Sequence, residues 1–441
     1  MKKLFLSSFA LNIGVLILNL VTGIMMARWL GSYGRGEFAA ATRWASLLTG
    51  LSALGLPGAV IYLGKRQAEK QRELFGSYLI LGVSFGLFGL IVGESILPLL
   101  MNGENEGLNH ARIAMLSVPF AVLADGLIGT LQSLNQFKRV MALRALSPIG
   151  SLLVIVVLEA MGNLNPRNLI LGFIVLWSFL LMMLATIWVM KSLKPTLRGF
   201  MASGKALMGS GVKIYGGSLV SIFGGNFDQL ILSLALSPYA LGLYTVASSI
   251  GGILPSVLFG ALNVFLTPKL MDMNKERRQL TVERMHGLFL YGTAAFAIFV
   301  SALLPFALPL LYGEEYRSAI VMAAILLYIA PIRICCQMMM YYLNTVGRFN
   351  TVSISEAVSV GGGLIGLILL MPVAGATAAA LGIVIASLVK WIIYIAVLRR
   401  EGLRIRMLFV VQKSDFSRLP YLLNRYKSAF ARRRSAVASK Q

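Results

Sequence analysis

Charge is what this chain of 441 residues most lacks: 13% of its residues are charged, about half the share of an ordinary soluble domain. Acids are the rarer sign, with 17 Asp and Glu against 40 Lys and Arg, and there are two histidines. So few charges cannot dress the surface of a soluble protein of this size. Cysteine is also scarce. Cys335 and Cys336 are adjacent inside an apolar run, which gives neither a disulfide framework nor metal-ligand spacing, so they read as packing residues. No G-x-x-x-x-G-K-[ST] motif is present, which excludes ATP hydrolysis through a P-loop. His110 and His286 are far apart, and no nucleophile or metal constellation forms around either. No connection between apolar runs is long enough for a soluble domain, or for the catalytic loop of a polysaccharide polymerase or ligase. The chain reads as a non-enzyme that needs no cofactor.

Apolar residues dominate instead, at 57% of the chain. A spanning helix takes about 20 of them. Continuous runs such as 152–158 and 364–371 lack the apolar–polar alternation of a membrane β-barrel strand. The sequence therefore predicts an all-α polytopic membrane protein of about twelve transmembrane helices. Breaks at charged, Gly, Pro and Asn residues place the spans near 7–30, 37–63, 75–101, 112–133, 144–161, 167–190, 209–235, 239–263, 286–311, 317–341, 351–371 and 375–398. The opening Met1-Lys2-Lys3 resembles a signal peptide, but its apolar run continues to Leu30 with no small-residue cleavage site, so it reads as a retained first span.

The net charge of +23 has to be read loop by loop rather than as a nucleic-acid footprint. With the N-terminus inside, the inner segments carry 32 of the 40 basic residues, twelve of them from Arg399 onward. The outer connections carry Glu104, Glu106, Glu314 and Glu315. This asymmetry predicts both termini in the cytoplasm. In the tail, Phe416, Leu419, Leu423, Tyr426 and Phe430 form one helical stripe flanked by basic residues, a pattern suited to the anionic inner leaflet.

The chain also repeats. Ser32-Tyr33-Gly34-Arg35-Gly36-Glu37-Phe38 resembles Pro238-Tyr239-Ala240-Leu241-Gly242-Leu243-Tyr244, offset by 206. Leu97-Pro98-Leu99-Leu100 recurs as Leu308-Pro309-Leu310-Leu311, and Leu134-Asn135 with Arg139 recurs as Leu343-Asn344 with Arg348. Each offset spans six helices, an even number, so the two halves share one orientation, related by an axis along the membrane normal with the substrate site at their interface. The expected organisation is an N-lobe at 1–190, a linker at 191–208, a C-lobe at 209–398 and a basic tail at 399–441. Architecture alone points to a transporter.

The residues from Thr22-Gly23-Ile24 through Ala27-Arg28-Trp29-Leu30-Gly31 to Gly34-x-Gly36-x-Phe38, then Leu54-Gly55-Leu56-Pro57, resemble the polysaccharide transporter family. That family belongs to the multidrug, oligosaccharidyl-lipid and polysaccharide exporter superfamily. Phe227-Asp228-Gln229-Leu230-Ile231-Leu232 and Leu241-Gly242-Leu243-Tyr244-Thr245-Val246-Ala247 are similar to its seventh and eighth spans. Many members carry a basic residue after the aspartate, where this chain has Gln229. The resemblance implies two six-helix lobes related by a pseudo-two-fold axis around a central cavity. It also implies movement of a polyprenyl-diphosphate oligosaccharide from the inner to the outer face of a bacterial plasma membrane, with polysaccharide polymerase or glycosyltransferases as partners. Within the superfamily, an ion-coupled multidrug exporter is the alternative.

A diphosphate suits guanidinium groups, whose forked donors match its oxygens, and ionisable residues inside a membrane are functional candidates by default. Arg43, six residues into the second expected span, Arg333, deep in the tenth, and Arg28 at the outer end of the first are the candidate substrate-binding residues. For Arg43 the alternative is packing against Glu37 or a backbone carbonyl, and for Arg28 it is snorkelling. Asp228, Asp125 and Glu356 are candidates for charge pairing, or for binding a coupling H+ or Na+.

Overall fold

A computed structural model describes the main chain of residues 2–101, 106–271 and 273–410. Within it the side chains of 2–12, 216–228, 260, 261, 263–265 and 267–269 fall outside the description. Every regular element among the described residues is helical. That follows from the solvent: hydrocarbon supplies no hydrogen bonds, so each apolar run must satisfy its own backbone.

The helices are α1 (Lys2–Ser52), α2 (Leu56–Arg66), α3 (Gln71–Leu100), α4 (Glu106–Met115), α5 (Val118–Ser133), α6 (Phe137–Ala160), α7 (Pro166–Leu169), α8 (Ser178–Ser192), α9 (Phe200–Ala235), α10 (Pro238–Met271), α11 (Lys275–Tyr312), α12 (Ile320–Thr345), α13 (Phe349–Ala374), α14 (Thr377–Arg400) and α15 (Ile405–Leu408). Among the described residues, ten stretches are long and apolar enough to cross a membrane. Two features separate this number from the twelve expected. The first two spans run on as one stretch through α1, and α9, which carries the seventh, contains side chains outside the description.

Local sequence explains where the spans bend. Gly31 stands inside α1 at φ 68° and ψ −178°, a conformation that glycine reaches without a Cβ penalty. The second expected span therefore starts at Ser32 rather than 37, and it breaks again at Leu54-Gly55 before α2. The fourth divides into α4 and α5 at Leu116-Ser117, where Pro119 sits in the first turn of α5. Residues Ile170–Trp177, in the sixth, form a widened π-type stretch. There the Trp177 indole lies so close to Gly150 that a Cβ would stand 1.8 Å from the ring.

The chain forms two compact units. One comprises Met1–Gly252, Ser301–Leu326 and Glu356–Ala386, and the other Ile253–Val300, Leu327–Ser355 and Ser387–Gln441. The core of the first centres on Met26, Trp44, Leu97, Met115, Val118 and Ile155. That of the second centres on Ile334, Met338, Tyr342, Tyr394, Leu398 and Leu408. Cys335 and Cys336 are free thiols buried in the second unit, with their sulfurs on the carbonyls of His286 and Ser387 at 3.7 and 3.8 Å. The amphipathic stripe from Phe416 to Phe430 lies outside the described residues.

Candidate functional site

In the first unit the arm of α1 beyond Gly31 carries three charged residues in close succession, Arg35, Glu37 and Arg43, on different faces. Arg43 is half-buried and its Nε donates to Oε1 of Gln229 on α9. Measured from Gly31, it lies about 18 Å along the arm at 1.5 Å per residue. Counting from a span start at 37 puts it only about 9 Å in. The bend at Gly31 accounts for the difference. Gln229 is 8% exposed and its Nε2 reaches the Ser248 hydroxyl at 3.4 Å. The amide that replaces the family's basic residue thus takes a hydrogen bond from an arginine instead of repelling it.

Arg35 is the residue that the sequence reading missed. The expected spans leave 31–36 between them as a connection, but the helix already runs from Ser32. Its Nη1 contacts the Met26 sulfur, and its Nε is buried with no hydrogen-bond partner. Tyr312 and Tyr316 surround it, and Arg43 is near enough for the two positive charges to repel. Among the described residues no carboxylate forms an ion pair with Arg35.

Glu37 turns the other way. It is 5% exposed and faces His110 of α4, with Oε2 3.6 Å from Nδ1, rather than Arg43. Six residues apart on one helix, Glu37 and Arg43 point to different faces, since helical neighbours are three and four apart. A cavity of about 610 Å³ adjoins this pair, lined also by Glu106, Arg112, Arg167 and Asn109. Arg112 pairs with Glu94 at 3.4 Å. A second cavity, of about 520 Å³, shares Glu37 and Glu106 and reaches Tyr33 and Gly36.

The remaining sequence candidates are dispersed. Arg28 is exposed and donates from Nε to the Leu311 carbonyl at 2.8 Å and from Nη2 to that of Leu310, at the last turn of α11. It holds two helix-end carbonyls, as a cation at a C-terminus does. Asp125 on α5 is exposed at the protein surface, with Tyr78 and Arg144 within electrostatic reach. Glu356 is half-buried on α13 in the same unit. Arg333 is half-buried on α12 in the second unit. The side chain of Asp228 lies outside the description. The structure thus brings Arg43 to Gln229, with Arg35 within electrostatic reach on the same helix, while Arg28 serves a different contact.

The family model described as "Polysaccharide biosynthesis protein" matches residues 25–321. Several solved transporters share the fold. The "Lipid II flippase MurJ, inward closed conformation" superposes with a TM-score of 0.71 at 14% identity, covering 91% of this chain and 88% of that one. An inward-facing multidrug resistance transporter of the MATE family in the MOP superfamily gives 0.65 at 16% identity, covering 91% and 98%. The MATE multidrug transporter DinF-BH gives 0.63 at 16% identity, covering 93% and 97%. No curated protein matches the chain in sequence.

Proposed function

The chain belongs to the polysaccharide biosynthesis protein family, and on that premise we propose that it flips a polyprenyl-diphosphate-linked oligosaccharide from the inner to the outer leaflet of the bacterial plasma membrane by alternating access. Such a cargo sets a definite physical problem. Its polyprenyl tail stays in lipid, while the diphosphate and sugars cross about 30 Å of hydrocarbon. A path for them has to replace water with fixed donors and positive charge.

Arg35 carries this reading. A guanidinium within a spanning helix, with Nε unbonded, no carboxylate among the described residues paired to it, and a second guanidinium repelling it, is poorly satisfied by its own protein. A diphosphate bound between Arg35 and Arg43 relieves the repulsion and supplies oxygens for the forked donors. Arg333 is proposed as the corresponding charge in the second unit. Asp125, Asp228 and Glu356 are proposed to bind the coupling H+ or Na+, and the basic tail to hold anionic inner-leaflet lipid. A cation exporter of the same fold is the competing reading, and the paired arginines disfavour it, because a cationic drug would add to the repulsion.

Cells lacking the protein, their lipids extracted and weighed by mass spectrometry, test this directly. The expected result is accumulation of one complete polyprenyl-diphosphate repeat unit, cleared by the wild-type gene and not by an Arg35→Gln/Arg43→Gln variant. If no such lipid accumulates while the glycan is made at the wild-type level, the reading is wrong.

A further inference from the structure

One cavity of the first unit lies on a different face of the α1 arm from the arginine pair, and two unsatisfied polar groups form its floor. Glu37 is 5% exposed and accepts no hydrogen bond among the described residues. His110 is 9% exposed, and its buried Nδ1 has no hydrogen-bond partner. The 3.6 Å between that nitrogen and Glu37 Oε2 is longer than a hydrogen bond. Buried polar groups in folded proteins are ordinarily bonded. This pair therefore calls for donors and acceptors from the cavity of about 610 Å³ that it lines.

Three stretches of chain build this pocket. On α4, Glu106, Asn109 and His110 are spaced three and four apart and share one face. The opposite face, with Leu108, Ala111 and Met115, is fixed in the core. The arm of α1 supplies Glu37. Arg167 comes from α7, whose start is set by Asn165 accepting the Asn168 N–H on Oδ1 at 2.8 Å. Gly34 lets α7 approach the arm, since a Cβ there would stand 3.2 Å from Pro166 Cγ. Glu106, Asn109 and Arg167 are exposed and form the rim. All three stretches begin at connections that the basic-residue count assigns to the outside.

The lining selects a class of ligand. A cation entering here would meet the guanidinium groups of Arg112 and Arg167, and an anion the carboxylates of Glu37 and Glu106. Only Ile113 and Pro166 of the lining are apolar, too little wall for a drug-like hydrophobe. A neutral sugar suits both signs, because each hydroxyl donates one hydrogen and accepts through its lone pairs. Its hydroxyls would donate to the two carboxylates and accept from Asn109 and Arg167. The volume falls within the range of about 300–1,000 Å³ for small-molecule sites. We propose that this cavity is an outer-face site for a neutral sugar, held by Glu37 and Glu106 and separate from the diphosphate site at Arg35 and Arg43. Its use rests on the flippase reading: a glycan unit that has crossed is held here before release. The binding itself does not depend on that reading.

The test is saturation-transfer NMR on the full-length protein in phosphatidylcholine nanodiscs, with empty nanodiscs as the blank. The probes are glucose, galactose and N-acetylglucosamine, beside the charged glucuronate and glucosamine. At least one neutral sugar should receive saturation above the blank, and more than either charged sugar. Its affinity should fall about tenfold or more in Glu37→Gln and in Glu106→Ala, the loss expected for a hydrogen bond to a charged group. Arg35→Gln/Arg43→Gln should bind it as wild type does. Glu106→Ala and Arg167→Ala remove only exposed side chains, and they decide the matter if Glu37→Gln does not fold. Absence of transfer to every neutral sugar, preference for a charged one, or full affinity in the folded variants overturns the site. Sugar binding without accumulation of a polyprenyl-diphosphate oligosaccharide in cells lacking the protein removes the cargo and leaves the site. Accumulation without sugar binding removes the site and leaves the cargo.

Discussion

Arg43 on α1 donates its Nε hydrogen to Oε1 of Gln229 on α9, joining two residues 186 positions apart in the chain. The bond orients the guanidinium, and the amide oxygen that accepts it carries no net charge. Gln229→Glu would place a full negative charge at that contact, where it would repel a diphosphate. Transport by Gln229→Glu in reconstituted vesicles should therefore fall at least as far as in Arg43→Gln, whereas Gln229→Ala should lose less. A charge-assisted bond contributes about 1.5–3 kcal/mol, so the loss expected for Arg43→Gln is on the order of tenfold to a hundredfold. Equal activity of Gln229→Glu and wild type would remove Arg43 from the site.

Arg35 makes a separate prediction. Its fork of donors, rather than its charge alone, suits a diphosphate, so Arg35→Lys should restore only a minor part of what Arg35→Gln removes. Folding should be preserved in both, since the native guanidinium leaves Nε unbonded. Flipping rates beside unchanged thermal stability check this. A lysine variant as active as wild type means that charge is enough and that Arg35 makes no bidentate pairing with the diphosphate.

The all-helical character and the order of the spans were legible because apolar runs bounded by charge are a strong signal in lipid, and the expected spans fall on helices, although ten stretches, not twelve, are long and apolar enough to cross a membrane among the described residues. Bends were harder to read. The connection expected over 31–36 is confined to Gly31, and Gly34 and Gly36 serve close packing inside a helix. That shift of the helix start hid Arg35 and made Arg43 seem shallow. The partners of charged side chains were least legible. Glu37 pairs with His110 across 73 positions of chain, a distance no local pattern spans, although its six-residue separation from Arg43 already argued against that pair.

Gly126 and Tyr78 make a prediction about stability alone. Tyr78 is fully buried and its hydroxyl donates to the Val122 carbonyl. A Cβ on Gly126 would lie 1.7 Å from the phenol ring. Gly126→Ala must displace a ring with no free space, so it should lower stability by about 1–3 kcal/mol. Tyr78→Phe, which keeps the ring and loses one hydrogen bond, should lose about 1 kcal/mol. Thermal melting of purified protein in detergent ranks the two, and a Gly126→Ala as stable as wild type means that α3 and α5 separate more readily than their packing implies.

His286 on α11 ties the start of the C-terminal tail to the second unit. Trp391 donates its indole N–H to Nε2 of His286 at 3.2 Å, so Nε2 is the unprotonated nitrogen. Nδ1 then carries the hydrogen and donates it to the Leu408 carbonyl at 2.8 Å. The imidazole is fully buried, with the Trp391 ring nearly parallel to it at 6.3 Å between centroids and Phe409 edge-on. Nearby, the Arg404 N–H donates to Glu283 at 2.6 Å and Arg348 pairs with Glu401 at 2.8 Å, so residues 401–409 are strapped across the ends of α11 and α12. Because both ring nitrogens are engaged, His286→Leu leaves two buried polar groups, the Trp391 N–H and the Leu408 carbonyl, without partners. Each such group costs about 1–3 kcal/mol, which sums here to a loss of about 2–6 kcal/mol and a clear fall in melting temperature. Limited proteolysis separates this from a general weakening. In His286→Leu, cleavage should rise first near residues 401–409, with the loops of the first unit protected as in wild type. Uniform acceleration of cleavage along the chain would mean that His286 supports the whole second unit and not the strap.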